Sequence, residues 1–266
     1  MTLPPFFCRI GSKRKYTELL EHCLPPHQVY VEGFVGGGAL FFAKKPSTYE
    51  VINDLDGVLV DDYLRLRRVT ASTRFPVVPR ALGALRKWWM GEANTRSRSV
   101  GAEVVKSLIR RCSGFMSKTV TQASQIFRSP STEKLNDILE YKARLNHAIV
   151  CSMDYRDLVP MFDSSTTVFF FDPPYEESKG LLYAKGSDTF DFEEFARVCG
   201  RIRGKVLITL NDSPYIRKVF HTFHLYPYVV KRTPGRSAQA TIGDKDRKEL
   251  LISNYALPSD WKSYLP

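Results

Sequence analysis

The chain has 266 residues, 43% of them apolar and 12% aromatic, enough to bury a large core and too many for a disordered tail. Its five cysteines contain no Cys-x-x-Cys pair and its five histidines form no zinc pattern with them, so reduced thiols and no metal are expected. The net charge is +11, no apolar run reaches membrane-spanning length, and residues 1–7 lack the basic region and sustained apolar segment of a secretory signal, which predicts a cytoplasmic protein.

In chain order, residues 29–40 pass from alternating apolar positions through clustered glycines into a helical pattern, which predicts a strand, a glycine loop and a helix. Glycines permit positive φ and let a ligand approach the backbone, and a helix N-terminus favours a carboxylate or phosphate. The loop lacks the Lys-Ser/Thr ending of a phosphate-binding P-loop, which disfavours ATP hydrolysis and leaves a nucleotide-like cofactor. A second short strand over 49–54 ends in the acidic Asp54, near the spacing at which a carboxylate meets ribose hydroxyls. Asp54 reads equally well as the cap of a helix starting near Leu55, a role Asn53 could also fill.

Between residues 65 and 128, fourteen Lys and Arg stand against Glu92 and Glu103, a surplus of twelve that leaves the rest of the chain at −1. Such a block suits phosphate neutralisation, although a charge run is more often a solvated face. Within it, 79–90 and 103–111 read as helices around a 91–99 loop, 113–128 as irregular, and Trp88 and Trp89 as core. An amphipathic helix over 131–147 leads to a strand over 148–152, and a crossover helix over 190–203 follows a further strand at 168–171. Residues 234–248, rich in Gly, Ser, Arg and Lys, read as a loop that either touches nucleic acid or stays idle in solvent.

The apolar run over 168–171 looks like a buried parallel strand, and ligands in open α/β sheets bind beyond the carboxyl ends of such strands. It closes on Asp172-Pro173-Pro174-Tyr175. Two prolines fix φ and remove two donors, leaving carbonyls free to accept from an amine; Asp172 adds a side-chain acceptor and Tyr175 a flat π face. Together they suit the exocyclic amino group of a base. Taken alone, the four residues read equally well as a capped Pro-Pro turn.

Gly11-Ser12-Lys13, the run from Glu32 to Leu40, Asn53-Asp54 and the run from Asp172 to Tyr175, in this order, resemble the DNA adenine methylase family. More narrowly, they resemble its alpha group, the D12-class adenine-N6 DNA methyltransferases of bacteria, phages and large viruses. Residues 205–212 and 249–255 are similar to the family's next and last strands, so the likeness spans most of the chain. It implies an α/β, Rossmann-like class I methyltransferase sheet: an S-adenosylmethionine-dependent catalytic domain from 1–64 and 147–266, and an inserted, mainly helical, basic target-recognition module over 65–146. It also implies cofactor contacts from Gly11, Lys13, Phe34, Gly36, Gly38, Asp54 and Asp172. Ser12 departs from the usual Gly-Gly-Lys, and Arg9 stands where some members place an aromatic ring against the cofactor. Asp154 and Tyr155 resemble the segment that contacts the cofactor's adenine, in competition with a plain capping role for Asp154.

The implied partner is double-stranded DNA, with Arg110, Arg111 and Lys118 as candidate contacts and a restriction endonuclease as a candidate companion; no metal and no membrane are implied. The location is then the cytoplasm, or the host compartment that contains the DNA. In the implied mechanism Asp172 and the Pro173 carbonyl accept the two N6 protons of a flipped adenine, turning the nitrogen toward sp³ character for direct methyl transfer. Tyr175 stacks on the base by its ring, so phenylalanine is expected to replace it. Two competing readings are an RNA or protein-amide N-methyltransferase and a non-catalytic DNA-binding paralogue.

Overall fold

The computed structural model describes residues 2–7, 11–93, 99–112, 132–176, 190–230 and 246–266. Seven strands, β1 (Val29–Glu32), β2 (Tyr49–Asn53), β3 (Ala148–Cys151), β4 (Thr167–Phe171), β5 (Lys205–Asn211), β6 (His224–Val230) and β7 (Arg247–Ser253), form one sheet in the order β3-β2-β1-β4-β5-β7-β6. The first five are parallel, and β7 runs antiparallel between β5 and β6. From β1 the chain moves outward to β2 and β3, then returns to lay β4 on the other side of β1. That reversal opens a crevice at the carboxyl ends of β1 and β4, the usual ligand position in such sheets. The expected Rossmann-like α/β sheet is therefore present.

The helices are α1 (Thr17–Cys23), α2 (Ala39–Ala43), α3 (Gly57–Arg67), α4 (Leu82–Ala93), α5 (Val100–Cys112), α6 (Thr132–Asn136), α7 (Ile138–Asn146), α8 (Tyr155–Phe162), α9 (Phe192–Cys199) and α10 (Pro214–Val219). Every residue of β4 is buried, because alternate side chains serve opposite layers. Phe169 and Phe171 pack with Val31 and Ile208 against Leu158, Phe195 and Ile216 of α8, α9 and α10. Val168 and Phe170 point the other way, to Leu19 and Leu20 of α1 and to Trp261. Three consecutive phenylalanines at 2% exposure or less, each worth roughly 1.5–3 kcal/mol, fix β4 at the centre of the molecule. Farther out on the α1 side, Ile52 and Ala148 meet Phe41, Leu59, Tyr63, Tyr141 and Leu145 from α2, α3 and α7.

Helix starts follow their caps. Asp56, Asp154, Asp191 and Ser213 accept from the backbone N–H of Leu59, Arg156, Glu194 and Ile216. Asp56, and neither Asn53 nor Asp54, therefore caps α3.

Helices α4 and α5 close a small cluster of their own through Leu85, Trp89, Val105 and Ile109, with Trp88 against it, so both tryptophans serve as core. Val104 and Leu108 of α5 join the sheet layer, as do Ile138, Tyr141 and Leu145 of α7. The module expected over 65–146 would thus share both its ends with that layer: residue 65 falls within α3, and α7 lies over the sheet.

Candidate active site

On the face of the sheet that carries α1, the strand positions nearest the crevice are polar: Glu32 on β1, Thr209 and Asn211 on β5, and Glu249 on β7, with Tyr228 on β6. All five are at 5% exposure or less, and the register sets Glu249 opposite both Asn211 and Tyr228. Asp172, the first residue beyond β4, continues this layer with its side chain 22% exposed.

Lys13, just ahead of α1, reaches into the layer. Its Nζ lies 2.9 Å from Asp172 Oδ1, 2.7 Å from the Tyr175 hydroxyl, 3.2 Å from the Gly11 carbonyl and 3.8 Å from Glu249 Oε2. The Thr209 hydroxyl donates to the same Asp172 oxygen at 2.6 Å. With Oδ1 held by two donors, Oδ2 has no partner among the described residues and remains an acceptor at the crevice. Tyr175 and Tyr228 both donate to Glu249 Oε2, at 2.9 and 2.7 Å. Burial, and then the negative charges of Asp172 and Glu249, push the Tyr175 hydroxyl well above its ordinary range, so it stays a donor. Asn211 steadies the chain leaving this loop: its Oδ1 accepts from the Glu176 N–H at 3.1 Å, while its buried Nδ2 has no partner among the described residues.

The glycine loop faces this layer from β1. Gly38 opens α2 at φ 71°, where a Cβ would stand 2.8 Å from the Phe42 ring. Asp54 Oδ2 accepts from the Gly36 N–H at 2.9 Å and its Oδ1 from the Asp56 N–H at 3.0 Å, while the Tyr63 hydroxyl donates to the Gly36 carbonyl at 2.8 Å. Asn53 bridges the Gly33 carbonyl to the Met153 backbone, tying the ends of β2 and β3. The loop is thus preformed. The Phe34 ring leans on Tyr155, Phe171, Phe190 and Phe195, and Gly11, at φ 82°, has nothing within 4 Å of where a Cβ would be.

The structure brings Gly11, Lys13, Asp172, Pro173, Pro174 and Tyr175 together and sets Phe34, Gly36, Gly38 and Asp54 at the neighbouring strand ends. Asp154 takes the capping role, its carboxylate held low by hydrogen bonds from Arg156, and Tyr155 lies in the core, burial lifting its hydroxyl to about 12. Two features had no role assigned from the sequence, although Glu32 opens the glycine run and Glu249 the last strand. Glu249 and Tyr228 arrive on strands far along the chain, and Glu32 is a buried carboxyl that burial pushes up to about 8, against the opposing pull of the Tyr30 hydroxyl and Lys44.

The basic candidates need correction. Arg111 is buried, with its guanidinium 2.9 Å from Asp56 and 3.1 Å from Asp62, so it fastens α5 to α3 instead of facing a phosphate. Arg110 is half-buried, 3.5 Å from the same Asp62, which also accepts from Ser107 and Arg65. A charge run does not reveal acids 49 residues upstream. Lys118 and most of 234–248 lie outside the described residues. Among the described residues no helix is long and apolar enough to cross a membrane, and no cluster of three or more His, Cys, Asp and Glu could hold a metal ion.

Comparison with known proteins adds the following. Residues 10–71 match the family model described as D12 class N6 adenine-specific DNA methyltransferase. The Type II methyltransferase M1.LlaDCHI of Lactococcus lactis subsp. cremoris is 22% identical over 283 residues, covering 96% of each chain. An rRNA methylase structure from Streptococcus thermophilus aligns with a TM-score of 0.34 at 10% identity, over 89% of this chain and 92% of that one. Spermidine synthase from Thermotoga maritima aligns with a TM-score of 0.41 at 12% identity, over 94% of this chain and 63% of its own.

Proposed function

We infer that this chain is a D12-class N6 adenine-specific DNA methyltransferase that uses Asp172 to hold the amino group of a flipped adenine while S-adenosylmethionine methylates it. The observation that carries the reading is the Asp172 carboxylate: Oδ1 is fixed by Lys13 and Thr209, and Oδ2 stands open at the β1–β4 crevice.

The donor set fits the cofactor. Gly11 leaves open ground beside Lys13, and Gly36, Gly38 and Asp54 form a fixed loop at the adjacent strand ends. We assign the ribose hydroxyls to Asp54, the methionine end to Gly11 and Lys13, and the adenine to the Phe34 side; Asp154 and Tyr155 stay with the cap of α8 and the core. Bound there, S-adenosylmethionine would supply an electrophilic sulfonium methyl for N6, with S-adenosylhomocysteine as the leaving thioether and the surplus N6 proton passing by way of Asp172 Oδ2 to solvent.

The protein's part is to orient and polarise. Asp172 Oδ2 accepts one N6 proton and the Pro173 carbonyl the other, which localises the nitrogen lone pair; Pro174 keeps the turn rigid and Tyr175 offers its ring to the base. Extruding the base costs a few kcal/mol, which stacking on Tyr175 offsets. DNA contacts are assigned to the 65–146 insertion, with Lys118 and the half-buried Arg110 as candidates. The Type II relative supports a restriction endonuclease as companion.

The test is methyl transfer from labelled S-adenosylmethionine to unmodified duplex DNA, to RNA and to bulk protein, followed by nucleoside analysis. The account predicts N6-methyladenine in DNA. Label confined to RNA or protein, or no label at all, points to one of the competing readings.

A further inference from the structure

Glu249 is a buried carboxylate on which three donors converge. The Tyr175 and Tyr228 hydroxyls lie 2.9 and 2.7 Å from the same oxygen, and Lys13 Nζ stands 3.8 Å away. Thr209 and Asn211 on β5, and the Tyr16 ring beside Tyr228, complete its surroundings. Burying a carboxylate is costly, and an apolar side chain could have filled this position between β5 and β6 instead. The strand that carries it, β7, contributes only apolar residues at 250–252.

Lys13 and Asp172, 2.9 Å apart, cancel one another. Glu32, the next acid in the layer, is raised by burial to about 8 and is mostly neutral at pH 7. The tyrosines keep their protons. Among the described residues of this layer, Glu249 is then the carboxylate left without a cancelling charge, set among the rings of Tyr16, Tyr175 and Tyr228. The Tyr175 hydroxyl, bonded to both Lys13 and Glu249, links that charge to the loop that holds the amine.

We propose that Glu249 supplies the uncancelled negative charge by which the site favours the cationic, methyl-bearing form of the cofactor over its neutral demethylated product. The inference rests on the functional reading above and adds a residue to it. Glu249 is a positioning residue: it touches Tyr175 and Lys13, and it acts on the reacting groups through them and through its field. A site with this bias would retain S-adenosylmethionine and release S-adenosylhomocysteine.

The experiment is calorimetric binding of S-adenosylmethionine and S-adenosylhomocysteine to the wild-type chain, Glu249→Gln and Glu249→Asp, with thermal unfolding of each. Gln keeps an acceptor for the two hydroxyls and removes the charge; Asp keeps the charge. The expected result is a loss of S-adenosylmethionine affinity on the order of tenfold in the Gln variant, with S-adenosylhomocysteine changing by about twofold or less. The Asp variant keeps the wild-type ratio. Equal losses for both ligands, or no loss for either, would make Glu249 a mere scaffold and overturn the proposal. Should Gln prevent folding, an Asp variant that has lost the wild-type preference overturns it equally. A wild-type chain that binds neither ligand overturns the functional reading and this inference with it, whereas intact binding with an unchanged ratio overturns this inference alone.

Discussion

Replacing Tyr175 by phenylalanine keeps the stacking ring and removes the hydroxyl that joins Lys13 to Glu249, at 2.7 and 2.9 Å. With the ring as the sole functional group little loss is expected; the hydroxyl's two hydrogen bonds point to a larger one. A hydrogen bond to a charged group contributes about 1.5–3 kcal/mol, and here two are lost. Lys13 keeps Asp172 and Gly11, and Glu249 keeps Tyr228, so the net deficit is close to one such bond. If that deficit appears wholly in the transition state, kcat falls about 10- to 150-fold. Base extrusion should survive, because the π face remains. Tyr175→Ala loses in addition about 1–3 kcal/mol of stacking. Turnover with labelled S-adenosylmethionine measures the first effect, and 2-aminopurine fluorescence at the target position measures the second. A Phe variant within about twofold of wild-type turnover would refute the hydroxyl network, and a Phe variant that flips the base as poorly as Ala would refute stacking.

Other perturbations probe the frame around the site. Arg111→Met strips Asp56 and Asp62 of a buried partner and should cost on the order of 3 kcal/mol in urea unfolding, while leaving the salt dependence of DNA binding unchanged; a salt slope flattened by about one unit with unaltered stability would return Arg111 to the DNA surface. Gly38→Ala forces a Cβ onto a φ of 71° and toward Phe42, so stability should fall by roughly 1–2 kcal/mol and cofactor affinity with it, both read by calorimetry. Glu32 carries a folded pKa of about 8 against an ordinary 4.5, so the native state holds a proton that the unfolded chain releases, and wild-type stability declines as pH rises through that window. Glu32→Gln escapes the decline, and its stability advantage should widen by up to about 1.4 kcal/mol per pH unit between pH 5 and 8; a gap independent of pH would mean that Glu32 is ionised throughout.

What the sequence made legible was local. The run ending at Asp172, the glycines at 36–38 and the Asn53-Asp54 pair each declare their chemistry within a dozen residues, and the strand order places them at one crevice. Glu249 declares nothing locally: it lies 74 residues beyond Tyr175, and only the antiparallel insertion of β7 brings them together. Its one signal was an acid opening the apolar run at 250–252, a charge where a strand should be buried. Arg111 misled for the mirror reason. A basic run shows its cations, but the buried Asp62 that claims one of them sits on α3, across a contact that periodicity cannot reveal. The ambiguity at Asp154 also needed three dimensions, because a capping carboxylate and a ligand carboxylate look alike until the Arg156 N–H is seen on it.

The central claim is that Asp172 holds the adenine amino group, and the most direct measurement is single-turnover methyl transfer by Asp172→Ala alongside its DNA affinity. The substitution removes the acceptor and releases Lys13 and Thr209 while leaving the insertion untouched. The account predicts a rate lower by at least about a hundredfold, with DNA binding nearly unchanged. Near-normal transfer in the variant, with N6-methyladenine still the product, would contradict it.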